Sequence, residues 1–319
     1  MKEFAPIIYK DFRCIADECR HNCCIGWEID IDEDTLALYR AQTGTIGEAL
    51  RQNIEITDGC ASFRPDEHGR CPFFNRRNLC DLYLTLGETA LCQICRDHPR
   101  FRNFFSDRTE IGLGLCCESA ARLLLCAETP FSLIQIADDG ETQTPTPEEA
   151  AFFAFRERVF LSAQDRNLPP EQRLQTILDT VGAHLPQKSP AAWAAFYAAL
   201  ERLDHGWDAV LETLCTLPPD AFAAPFAKEC TPFFENLLCC FVYRHLAGAL
   251  DDGNLSGRTA LCVHGVQFLW ALYRACAKEH AGFDFDLAID LVRQYATEIE
   301  YSDENLEAVL DALSADCCM

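Results

Sequence analysis

The residues best equipped for chemistry in this chain are cysteines. Twelve of the twenty lie before residue 127, and they come in groups. Cys14, Cys19, Cys23 and Cys24 form C-x4-C-x3-CC with Gly26-Trp27 close behind; Cys71 opens Cys-Pro-Phe-Phe; Cys80 follows Leu79. Cys92-x2-Cys95 runs into His98-Pro99-Arg100, and Cys116-Cys117 closes the series. Thiolates are metal ligands, and four of them complete either a tetrahedral zinc site or a [4Fe-4S] cluster. The groups offer more ligands than one centre needs, so the surplus is structural or serves a second centre. Neighbours such as Cys23 and Cys24 tend to point different ways, so one of each pair packs or serves elsewhere. Spacing alone leaves iron and zinc both open: the groups match neither the paired knuckles of a zinc ribbon nor the even ferredoxin run. The Cys-x3-Cys-x2-Cys triad of radical-SAM enzymes is also absent. The reading without metal is that these are reduced, buried thiols acting as small hydrophobes.

The elements that must position these groups are short and irregular. From Phe12 to about Tyr83 the pattern gives one helical stretch near Asp34–Gln42 and turn-rich or alternating pieces at Ile54–Phe63 and Gly69–Phe74. Small hairpins and loops suit a cluster, because a regular helix or strand fans neighbouring side chains apart. Glu118–Glu128 reads as a helix on its alanines and leucines. Asp138–Pro147 is polar, carries two prolines and has no periodicity, which marks a domain boundary. Beyond it, helices are announced at Pro147-Glu148-Glu149, Ser189-Pro190, Thr231-Pro232 and Ser302-Asp303-Glu304. The expected fold is therefore mainly α. A cysteine-rich metal-cluster module of loops and hairpins spans 1–137, a linker 138–147, and an α-helical bundle 148–319.

With 49% hydrophobic and 24% charged residues the chain can build real cores. Met1–Phe12 lacks the apolar run and cleavage site of a signal peptide, and no stretch approaches the roughly 18 apolar residues of a membrane helix. The expectation is a cytoplasmic protein without membrane contact, where thiols stay reduced and twenty cysteines need another cause than disulfides. The other eight cysteines lie scattered in an alanine- and leucine-rich remainder that tolerates them as hydrophobes. A formal charge of −23 repels phosphate backbones, which excludes nucleic acid as a partner, and suits a lysine-bearing protein substrate or simply keeps the chain soluble.

The ordered series C-x4-C-x3-CC-x-GW, G-x-CPFF, LC, C-x2-HPR and C-x3-AARLLL, over residues 9–126, resembles the flagellin lysine-N-methylase family, itself similar to the broader group of iron- or zinc-chelating cysteine-rich domains. The resemblance resumes at Glu235–His245 (ENLLCCFVYRH). It implies an S-adenosylmethionine-dependent methyltransferase acting on lysines of flagellin or another lysine-bearing protein, with a [4Fe-4S] cluster, zinc being the alternative. It places the family's cysteines on Cys14, Cys19, Cys23, Cys24, Cys71, Cys80, Cys95 and Cys117, leaving Cys92 and Cys116 as extras. His98 and Glu118-Ser119 depart from the pattern expected beside the cysteines. A competing reading is a non-catalytic iron- or zinc-binding protein with a helical interaction domain.

Within that frame, Arg100 and Arg96 can neutralise a thiolate-rich cluster or bind the cofactor carboxylate, the alternative being plain surface cations. Trp27 can shield a cluster or stack on adenine, or simply pack. His98 is a ligand, a donor that steadies a ligand, or a structural histidine before a trans proline. Asn236, Cys240, Tyr243 and Arg244 share one helix face with Glu235 beside it. They form either the cofactor and lysine site, Asn236 and Arg244 binding and Glu235 or Tyr243 accepting the lysine proton, or a polar interhelical seam. No glycine-rich loop follows a predicted strand, so a Rossmann fold has no support. His184, His205, His264 and His280 lack ligand spacing.

Overall fold

The computed structural model describes residues 1–140, 143–277 and 282–314. The chain divides into two compact units, one of Arg13–Arg100 and one of Met1–Phe12 with Phe101–Met319. Strand β1 (Lys2–Pro6) therefore belongs to the larger unit although the smaller one follows it directly in sequence.

The smaller unit holds β2 (Asp30–Ile31), α1 (Glu33–Arg40), α2 (Gly44–Asn53), β3 (Ile54–Thr57), β4 (Cys60–Phe63), α3 (Asp81–Leu86) and α4 (Gln93–Asp97), its sheet running β2-β4-β3. The alternation at 54–63 becomes a hairpin, Ile54 opposite Phe63 and Thr57 opposite Cys60. Its turn is Asp58-Gly59 with φ of 52° and 89°, both positive as a type I′ turn requires. Helix α1 lies where the pattern placed it. Helix α2 was not expected, because Gly44 and Gly47 weaken its signature. Tyr39, Leu50, Phe63, Phe73 and Leu82 fill a small core, with Phe63 stacked on Tyr39 and edge-on to Phe73.

The larger unit adds β5 (Arg100–Phe104), β6 (Arg108–Leu113), α5 (Glu118–Leu125), β7 (Leu133–Asp138), α6 (Pro147–Ala163), α7 (Pro170–Asp179), α8 (Pro190–Ala198), α9 (Trp207–Leu214), α10 (Thr231–His245), α11 (Ala249–Asp252), α12 (Leu255–Cys276), α13 (Phe285–Glu300) and α14 (Asp303–Ser314). The chain is mainly helical, as expected. The sheet β5-β6-β1-β7 was not expected. In it β1 runs parallel to β6, Lys2 opposite Arg108, and antiparallel to β7, Pro6 opposite Leu133. These pairings join residues on both sides of 13–100, so the compact division departs from the expected 1–137, 138–147 and 148–319. Across the expected linker, of which Glu141 and Thr142 lie outside the described residues, Ser106 N donates to Glu149 at 2.8 Å.

The helix starts match their signals. Thr146 and Glu149 form a capping box on α6, and Ser189 caps α8. Helices α10 and α12 are apolar nearly all round and form the centre of the bundle. Gly265 lets them approach, since a Cβ there would meet the Phe241 ring at 2.7 Å. Trp193, Tyr197, Trp207, Phe268 and Tyr295 complete an aromatic core around buried His264. Among the described residues no helix is long and apolar enough to cross a membrane.

Candidate functional site

In the smaller unit, backbone pairing draws the cysteine segments together. Cys71 N donates to Cys24 O at 2.8 Å, next to a bridge between Ile25 and Arg70, and Phe74 bridges Cys80. Cys92 stands at the N-cap position of α4, without a capping bond of its own, and Cys95 lies one turn on. Asp32 holds that helix in place: Oδ1 accepts from Thr35 N at 3.0 Å to cap α1, and Oδ2 accepts from Gln93 N at 2.8 Å to cap α4. Burial works against the Asp32 carboxylate, but these donors outweigh it and hold it below its usual range.

Electrostatics show which thiols sense one another. A hydrogen bond from Cys24 lowers the Cys23 thiol, and the same bond, with burial and the charges of Cys23, Cys71 and Cys80, drives Cys24 up. Cys23 is exposed as a residue, yet enough protein surrounds its sulfur for desolvation to oppose the lowering. Cys92 and Cys95 repeat the arrangement: their mutual hydrogen bond lowers Cys92 and raises Cys95, with charges on Cys23 and Cys71 adding to the rise. Burial pushes Cys71 up to about 11 and raises Cys80. The Tyr39 hydroxyl lies 3.5 Å from Cys92 Sγ. Six thiols thus form one electrostatic group, in which Cys23 is hydrogen-bonded to Cys24 and Cys92 to Cys95. Among the described residues no three His, Cys, Asp or Glu side chains gather at single-ion spacing.

Five of the eight expected ligands, Cys23, Cys24, Cys71, Cys80 and Cys95, fall in this group. Cys14 and Cys19 stand upstream on the irregular segment, and Cys117 lies in the larger unit as the residue before α5. Cys92, set aside by the resemblance, sits among the six; its C-x2-C spacing with Cys95 was the available signal. Trp27 is half-buried in this unit. Arg100 Nη1 donates to Arg96 O at 3.1 Å. His98 precedes a cis proline rather than a trans one, and burial with the charge of Arg100 pushes its imidazole down to about 4, so it is neutral at pH 7.

The polar stripe on α10 lies in the larger unit, and most of it is occupied. Glu235 is buried between Arg166, which binds it through Nε and Nη2, and Arg173, whose Nη1 lies 2.8 Å from Oε2. Both of its oxygens accept from these guanidiniums. A void of about 20 Å³ beside it has room for one water. Asn236 Nδ2 donates to Leu125 O and Ala127 O past the end of α5. Tyr243 donates to Ile111 O at 3.2 Å, and burial drives its phenol up, so it stays protonated at neutral pH. These three side chains stitch α10 to α5, α7 and the sheet.

Arg244 is different. It lines a cleft of about 460 Å³ between β5, the end of α10 and the α13–α14 junction. Its Nε lies 3.2 Å from Glu300 Oε2, its Nη2 donates to Glu300 O, and its guanidinium stacks on Phe101 at 4.7 Å. His245 Nε2 meets Glu300 Oε1 at 3.2 Å. Burial opposes ionisation of Glu300, which ends α13 where the helix dipole also disfavours an anion, but Arg244 and His245 outweigh burial and hold its carboxyl below the usual range. Of the four expected cofactor contacts, Trp27 and Arg100 belong to the smaller unit and Asn236 and Arg244 to the larger; only Arg244 reaches this cleft.

The family model for the FliB lysine N-methylase C-terminal domain matches residues 218–318. A flagellar biosynthetic protein FliU of Salmonella muenchen is 31% identical over 134 residues, covering 39% of this chain and 79% of that protein. The chain belongs to the lysine-N-methylase family. Lysine-N-methylases of Salmonella choleraesuis and Salmonella typhimurium are each 30% identical over 134 residues, 39% of this chain. The match spans about a third of those two relatives, 33% of each. No solved structure matches. The stretch matched by the lysine-N-methylase model runs from before α10 through α14, and so contains Arg244 and Glu300; the six-thiol group lies outside it.

Proposed function

We propose that the chain transfers a methyl group from S-adenosylmethionine to lysine side chains of a protein substrate, flagellin foremost, and carries a [4Fe-4S] cluster in its smaller unit. The observation that carries the reading is membership of the lysine-N-methylase family. In the reaction a lysine ammonium gives up a proton, its freed lone pair attacks the sulfonium methyl, and the carbon–sulfur bond breaks with the electron pair returning to sulfur as S-adenosylhomocysteine forms. Deprotonation, desolvation and in-line placement suffice for this transfer.

The donor set fits the cluster. A [4Fe-4S] cluster spreads its thiolates over four irons. Cys71 and Cys80, with one of Cys23 and Cys24 and one of Cys92 and Cys95, would hold it. When bound, the cluster supplies the positive charge that lets the raised thiols ionise. The surface charge of −23 favours a lysine-rich partner.

Anaerobically purified protein incubated with methyl-labelled S-adenosylmethionine and flagellin should place label on lysine. An iron-loaded protein that leaves flagellin unlabelled would instead support a non-catalytic metal-binding protein.

A further inference from the structure

Tyr39 is fully buried in the core of the smaller unit, and among the described residues its hydroxyl has one hydrogen-bonding neighbour, Cys92 Sγ at 3.5 Å. Two directions are open to that contact, and only one of them fills the phenol's donor. With the thiol donating to the oxygen, the O–H would stand unsatisfied in an apolar core, where buried polar groups nearly always find a partner. Tyr39 therefore donates and the Cys92 sulfur accepts. Cys95 is hydrogen-bonded to that same sulfur. A neutral thiol is a weak acceptor, whereas a thiolate takes a donor in a charge-assisted bond. Donors converging on one buried sulfur mark the place of a thiolate.

The scaffold holds this geometry from both sides. Helix α1 carries Tyr39, and Asp32, which caps α1, also accepts from Gln93 N, the residue after Cys92. The Tyr39 ring is stacked on Phe63 with centroids 5.8 Å apart, which fixes the hydroxyl against the start of α4.

We infer that Cys92, rather than Cys95, is the ligand this C-x2-C pair gives to the iron-sulfur cluster, and that Tyr39 is a positioning residue whose hydroxyl bonds the ligating sulfur. The assignment rests on the cluster of the proposed function and adds the ligand and its donor. The cysteine that the family resemblance sets aside is the one the fold prepares. A hydrogen bond to a cluster sulfur draws off negative charge and favours the reduced state, so losing it moves the reduction potential down.

The test uses the full chain, purified anaerobically, with iron measured by elemental analysis and the potential by titration followed by electron paramagnetic resonance. Tyr39→Phe keeps the ring and removes only the hydroxyl. It should hold iron as the parent does, while its potential moves negative by the equivalent of about a tenfold change in the reduction equilibrium, about 59 mV for one electron. Cys92→Ala should lose iron, and Cys95→Ala should keep it. Equal potentials in Tyr39→Phe and the parent, or iron retained by Cys92→Ala, overturn the assignment and leave the cluster in place. A parent without iron removes the cluster and the assignment with it. Should Tyr39→Phe fail to fold, the alanine pair decides: iron lost from Cys95→Ala and kept by Cys92→Ala sinks the inference.

Discussion

Single residues here separate chemistry from architecture. Glu235 sits in the stretch that resembles a family signature, yet its carboxylate is enclosed by Arg166 and Arg173. Glu235→Gln leaves a buried guanidinium without its charge partner, a change that costs about 3 kcal/mol. Urea denaturation should show that loss, while methyl transfer, assayed well below the melting transition, should remain near the parent rate. Complete loss of activity in a folded variant would restore Glu235 as a base. His264 makes a second case. Its ring is buried 3.1 Å from the Tyr197 hydroxyl, and burial, with a smaller push from Lys188, drives it down to about 3. In the unfolded chain a histidine titrates near 6.5. Because the folded value is the lower one, the unfolded state takes up the proton first: stability is full above about 6.5 and falls as pH drops below it. Comparing unfolding free energies at pH 7.5 and 5 should show this loss, and it should shrink in His264→Phe.

At the scale of elements, Asp32 joins two helix starts with one carboxylate, and α4 carries Cys95 with Cys92 at its N-cap. Asp32→Ala should destabilise the smaller unit by about 1–2 kcal/mol and lower its iron content, read by elemental analysis after anaerobic purification. Of Cys92→Ser and Cys95→Ser, the one that removes the ligand should lower iron further, whereas Cys215→Ser, at an exposed position outside the group, should leave it unchanged. Equal iron in all of these variants would break the link between the six thiols and the cluster. Helix starts and the hairpin were legible because their signals are local: Thr146 and Glu149 stand three residues apart, and Asp58-Gly59 states its own turn. The thiol grouping was legible only by segment. Which cysteines meet depends on contacts such as Cys71 with Cys24, 47 positions apart in the chain, and on Asp32 reaching across to α4.

For the whole molecule, the sheet of the larger unit was the feature least visible beforehand. Lys2–Pro6 is too short and too plain to declare itself a strand, and its partners begin at Arg108 and Leu133. Its place between β6 and β7 means that removing residues 1–6 splits the sheet rather than trimming an edge. That truncation should abolish the cooperative unfolding transition of the larger unit, monitored by near-ultraviolet circular dichroism. A truncated chain that melts like the parent would show that β1 is dispensable.

That same strand sets an order of events during synthesis. The ribosome delivers β1 first, but β1 has no partner until residues beyond 108 have emerged, and by then every cysteine of the smaller unit is already outside. The thiol group can therefore gather on a nascent chain whose larger unit is still unable to close. Under the proposed function, the cluster can be loaded at that moment, before the larger unit closes.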